Sequence, residues 1–104
     1  MPRKFHLGDI LSVTTPLLVS PKGMVGVSNL INYMVGDHVG MTVLSNAASI
    51  CKPYLLKQYP FLIDIDTKEV NKRNWQEWLA KCVENYGEEF EIKSINEFRK
   101  DIVT

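Results

Sequence analysis

Apolar positions along this chain recur mostly at helical spacing. Leu7, Ile10 and Leu11 share one side of a short helix near Leu7 to Thr14. Thr14, Thr15 and Pro16 stop it, because the residue before a proline avoids the helical region. The run Leu17-Leu18-Val19 is too short for a helix and predicts a brief strand or buried extended segment. Ser20-Pro21 then reads as a helix start, a capping hydroxyl followed by proline at the first helical position. This second helix runs to about Val35, with Val27, Leu30, Ile31, Met34 and Val35 on its core face, and Gly36 ends it as a left-handed cap. Gly23 and Gly26 weaken its first turns, which predicts close approach of another backbone there.

Beyond Gly36 the pattern shortens. Asp37 to Gly40 reads as a loop, and Thr42 or Ser45 can cap a third helix to about Cys51 with Leu44, Ala48 and Cys51 as its buried stripe. Pro53 is expected to break or bend the chain and to start a further turn, Tyr54 to Gln58, closed by Tyr59-Pro60. Phe61 to Ile65 is apolar and expected to be extended; Asp66 to Asn74 is polar and loop-like. Helix four is the clearest element: Trp75, Trp78, Leu79, Cys82, Val83 and Tyr86 follow one stripe, and Gly87 caps it. Glu89 to Lys93 alternates polar and apolar like a half-buried strand, and Ser94-Ile95-Asn96-Glu97 is a capping box that opens a last helix through Phe98 and Ile102. The fold class is therefore α+β: one compact domain, residues 1–104, of about five short helices and a small two- or three-stranded sheet. Pairing of residues 17–19 with 90–93 is expected to close it, around a core of the helix-four stripe with Val27, Leu30, Ile31 and Met34.

Composition changes this picture little. A chain of 104 residues, 45% hydrophobic and 23% charged, has the make-up of an ordinary single globular domain. It contains neither an apolar run long enough to span a membrane nor a signal-peptide core, so a cytoplasmic protein with no membrane role is expected. Cys51 and Cys82 each sit on the apolar face of a helix and read as buried thiols. Net charge is zero but uneven: residues 1–60 carry five basic and two acidic groups, residues 61–104 seven basic and ten acidic. Nucleic-acid binders show a clustered basic face, so nucleic acid is not expected as a partner.

Chemistry-bearing motifs are sparse. No nucleophile elbow, phosphate-binding loop or dinucleotide fingerprint occurs, so neither catalysis, a small-molecule substrate, a cofactor nor a bound metal is expected. His6, Asp9, Asp37 and His38 are the polar residues that could form an acid–base or metal site if the fold brought them together. Asp9 equally suits the first turn of a helix, and Asp37 a turn after a helix-ending glycine. Helices two and three could form a DNA-binding helix-turn-helix pair, but the second carries no cation before Lys52. Lys72, Arg73 and Trp75, with the acidic Glu84, Glu88, Glu89 and Glu91, supply aromatic and charged interface material expected around one end of helix four.

The segment His6-Leu7-Gly8-Asp9, the segment Leu18-Val19-Ser20-Pro21 and the segment Asn32-Tyr33-Met34-Val35-Gly36-Asp37 together resemble a family of small bacteriophage and prophage proteins of unknown function. The resemblance extends through Gly26-Val27 and fades through Cys51, Pro53, Leu55-Leu56, Gln58 and Pro60, covering about two thirds of the chain. That family tends to have Gly-Arg where this chain has Pro16-Leu17, Asn in place of His38 and His in place of Tyr59, all at loops or helix ends. It carries no activity to transfer. The resemblance implies a phage accessory protein in the cytoplasm of an infected bacterium. The function expected is binding of a host or phage protein, or of another copy of itself, with inhibition of a host defence or host process in the manner of anti-CRISPR proteins as one such role.

Overall fold

A computed structural model describes residues 3–103. It is an α+β fold of five helices and one two-stranded antiparallel sheet. The strands are β1 (Arg3–His6) and β2 (Glu89–Ile92), and the helices are α1 (Leu7–Thr14), α2 (Met24–Val35), α3 (Leu44–Gln58), α4 (Trp75–Tyr86) and α5 (Ile95–Val103). Two 3-10 turns, Met41–Val43 and Pro60–Asp64, precede and follow α3.

Helix α1 is the centre. Seven of its eight residues are buried, Ser12 being the exception. The His6 ring caps it, with Nδ1 accepting the Gly8 N–H at 2.9 Å. Around α1 pack the buried stripe of α2, Val27, Leu30, Ile31 and Met34, and that of α3, Leu44, Ala47, Cys51 and Leu55. Gly36 is left-handed (φ 77°) and donates to the Asn32 carbonyl, the expected end of α2. The capping box is also formed: Ser94 Oγ accepts the Glu97 N–H and donates to the Glu97 carboxylate. Cys51 and Cys82 are buried free thiols.

The structure departs from expectation in the following places, each for a local reason. The strand partner of β2 is β1, not residues 17–19; the register aligns Arg3 with Ile92, Phe5 with Phe90 and His6 with Glu89. Residues 17–19 have no strand to join because the Val19 N–H is taken by Ser12 Oγ, and Leu18 faces outward. Helix α2 starts at Met24 rather than at Pro21, since the Ser20 hydroxyl turns back to Asp9 and Gly23 adopts a positive φ of 62°. Pro53 does not break α3. It lies on the exposed face, so the Ser49 carbonyl it leaves unpaired stays in water, while Ala47, Cys51 and Leu55 hold the helix in register. Residues 60–64 are a 3-10 turn rather than extended, because Phe61 packs on Tyr86 (ring centroids 4.7 Å) and Phe90 (5.5 Å). Finally, α4 is peripheral: it buries Leu79 and Cys82, leaves Trp75, Trp78 and Val83 half-buried and exposes Tyr86.

The sheet has one covered edge. The side-chain amide of Gln58 both donates to the Lys93 carbonyl and accepts the Lys93 N–H, and Tyr59 OH donates to the Glu91 carbonyl at 2.6 Å. These side chains from the end of α3 stand in for a further strand along β2.

Candidate functional site

Of the four polar residues that could make a site, the fold brings two together. His6 and Asp9 line one cleft of about 340 Å³. Asp37 and His38 follow the far end of α2, a 12-residue helix spanning about 18 Å, and do not line it. Asp37 accepts the His38 N–H at 2.8 Å, a turn-stabilising bond on an exposed loop. Among the described residues no group of three or more His, Cys, Asp or Glu side chains is placed to hold a metal ion.

The cleft is built by close approach. Asp9 is buried in the first turn of α1, where its charge favours the helix dipole. The buried Ser20 hydroxyl donates to Asp9 Oδ1 and accepts the Lys22 N–H. Helix α2 crosses directly over this pair, because a Cβ on Gly26 would overlap Asp9 Oδ1 and lie 2.5 Å from Ser20 Oγ. Gly8 makes the neighbouring contact: its Cβ would meet the Val19 carbonyl at 2.5 Å and Pro21 at 2.8 Å. Thus His6, Gly8, Asp9, Val19, Ser20, Pro21 and Gly26, scattered through separate segments of the sequence, meet at one crossing. Arg3, Lys4, Lys22, Asn29, Glu88 and Glu89 also line the cleft, with Glu88 Oε1 3.9 Å from His6 Nε2.

The interface residues expected around one end of α4 divide between its two ends. Lys72 and Arg73 precede its first residue, Trp75, whereas Glu84 lies in its last turn and Glu88, Glu89 and Glu91 lie beyond it, about 18 Å away. Glu91 pairs across the sheet with Lys4. Lys72 and Trp75 instead line an apolar groove of about 340 Å³ together with Leu17, Leu18, Val19 and Val70. Leu17 and Leu18 also line a second groove of about 480 Å³, whose walls include Met24 and Ile31 from α2 and Leu44 and Ala48 from α3. Leu18 is 51% exposed and Met24 40%. Reading Leu17-Leu18-Val19 as a brief strand or buried extended segment hides this surface, since only Val19 of the three is fully buried and Leu18 is exposed. Helices α2 and α3 are joined by eight residues, Gly36 to Val43, which is longer than the three- or four-residue turn of a DNA-binding helix pair.

Fold and cleft together define a small α+β domain centred on a buried helix whose first turn carries a carboxylate clamped by a neighbouring serine. Residues 5–65, more than half of the chain, match the family described as a domain of unknown function, DUF7736, and the chain belongs to that family. The match takes in the His6, Asp9, Ser20 and Gly26 crossing and the Leu17-Leu18 surface, and stops before α4. No curated protein and no solved structure matches the chain.

Proposed function

We propose that this protein is non-catalytic and acts by binding another protein through the apolar surface around Leu17 and Leu18. The observation that supports this is that Leu18, half exposed, sits where two apolar grooves meet, with Trp75 on one side and Met24 on the other. Exposed contiguous apolar surface of this kind costs solubility unless a partner covers it, and an aromatic anchor at its edge is the usual material of a binding hot spot. The partner segment is apolar at its centre and flanked by carboxylates. Among the described residues that line the two grooves there is one charged side chain, the cation Lys72 of the smaller groove, and no carboxylate. Resemblance of the His6–Asp9, Leu18–Pro21 and Asn32–Asp37 segments to phage proteins supports a setting in an infected bacterial cytoplasm. There the binding would inhibit a host process, anti-CRISPR proteins being one class that works this way.

The test compares Leu18→Asp with the native chain. Leu18 is exposed enough for the variant to fold with stability within about 0.5 kcal/mol of the native protein. Affinity capture from a bacterial lysate should recover a protein with the native chain and lose it with Leu18→Asp. Recovery of the same protein by both would exclude this surface. If no partner is recovered and the native chain is monomeric by sedimentation, the binding reading itself fails.

A further inference from the structure

The cleft at the α1–α2 crossing has no role in that reading, and its chemistry points to a ligand of its own. Asp9 is 6% exposed, and the only hydrogen bond to its carboxylate is the one Ser20 donates to Oδ1. Oδ2 has no partner, yet it is not sealed: among the described residues the one buried side-chain polar atom without a hydrogen bond is Thr14 Oγ1. Oδ2 therefore opens into the cleft that Asp9 lines. A carboxylate held this deep with an unfilled acceptor calls for a strong donor, and a charged one gains most where little water competes. The same cleft is lined by Arg3, Lys4 and Lys22, which call for an anion, and by Glu88 and Glu89, which with Asp9 balance the three cations and suit a ligand of no net charge. At about 340 Å³ the space lies at the small end of ligand pockets.

We propose that this cleft binds a compact zwitterion of the amino-acid type, its ammonium on Asp9 Oδ2 and its carboxylate towards Lys22 and Arg3. Gly26 is part of the site as much as of the packing, since any side chain there would displace the carboxylate. His6 holds its ring fixed beside the site: Nδ1 accepts the Gly8 N–H, so the proton sits on Nε2, facing Glu88.

The test is titration of the full chain with L-glutamate, with glutarate, which lacks the amine, and with n-butylamine, which lacks both carboxylates, followed by amide NMR shifts. L-Glutamate should give saturable shifts at Gly8, Asp9, Gly26 and Asn29 at millimolar concentration, and the two half-ligands should bind at least about tenfold more weakly. Asp9→Asn should lose L-glutamate binding by at least about tenfold. Lys22→Gln, at an exposed position that leaves the fold intact, should weaken it too, and serves alone if Asp9→Asn does not fold. Glutarate or butylamine binding as tightly as L-glutamate, native affinity in Lys22→Gln, or no saturable shift with any of the three would overturn the proposal. Leu18→Asp should leave these shifts unchanged, which separates failure here from failure of the protein-binding reading.

Discussion

Substituting Gly26 by alanine tests the crossing of α1 and α2 most directly. The added methyl would overlap Asp9 Oδ1 and lie 2.5 Å from Ser20 Oγ. Both atoms belong to buried side chains that bond each other, so neither can swing away without leaving the other unpaired. Overpacking at such a site costs about 1–3 kcal/mol. Loss of a hydrogen bond to a charged group adds about 1.5–3 kcal/mol. Helix propensity opposes both, since alanine is better than glycine in a helix by about 1 kcal/mol. The expected net loss is about 1.5–5 kcal/mol, a fall of at least about 6 °C in melting temperature for a domain of this size. Gly40 provides the control: a Cβ there meets nothing within 4 Å, and its φ is not positive, so Gly40→Ala should leave stability unchanged or raise it by about 0.4–1 kcal/mol. Thermal melts followed by circular dichroism would measure both. A Gly26→Ala protein that melts with the native one would refute the close-approach argument and, with it, the account of why Asp9 is held where it is.

Further outcomes follow from burial. Trp78→Ala should cost less than the about 3–5 kcal/mol of a fully buried large aromatic, while Leu30→Ala, at a residue with no exposure, should cost about 2–5 kcal/mol; equal losses in chemical denaturation would contradict the peripheral position of α4. Thr14→Val removes the buried hydroxyl that lacks a partner and should raise the denaturation midpoint, by about 1–3 kcal/mol in stability, and a fall would mean the hydroxyl is satisfied in solution. Burial pushes the Cys51 thiol up from 9.0 to about 11, and burial followed by the Glu97 and Glu91 charges raises Tyr33 and Tyr59. The folded chain thus keeps protons that the unfolded chain releases, so stability should fall as pH rises from about 9 towards 11, with a flat profile excluding the assignment.

Helices were legible wherever a repeating apolar stripe met a distinct stop. The α2 stripe from Val27 to Met34 with Gly36, the α4 bounds at Trp75 and Gly87, and the Ser94–Glu97 capping box needed no tertiary information. The sheet was half legible: β2 alternates, but β1 is Arg-Lys-Phe-His, with one apolar residue, and becomes a strand only because Glu89–Ile92 lies beside it. Proline was over-read at position 53, where solvent on one face and Cys51 and Leu55 on the other outweigh one missing hydrogen bond. The aromatic weight of α4 reads as core and interface; in the fold Trp78 packs half-buried against the core, Tyr86 stacks on Phe61 and Trp75 lines a groove. For the cleft, His6 and Asp9 were singled out together with Asp37 and His38, and spacing alone could not tell which pair converges. Gly26 was the informative letter, since a glycine in a helix that is otherwise well patterned marks a place where something else comes close.

The pairing of β1 with β2 also sets an order of events. Between His6 and Glu89 lie 82 residues, so zipping these strands closes a loop whose entropy cost is about 4 kcal/mol by the (3/2)RT ln n estimate. By contrast, α1, α2 and α3 meet through much shorter loops and can assemble first. The return on closing the long loop is a few backbone bonds and the burial of Phe5 and Ile92, which makes the sheet the natural first unit to open. Amide protons of Phe5 and Phe90 should then exchange faster than those of Leu30 and Ile31. A protein trimmed to the family-matched residues 5–65 would keep Phe5 and Leu7 but lose Ile92 and the Glu88 carbonyl that holds the Leu7 N–H. Its hydrophobic centre would be open to water on the side that the paired strands normally cover.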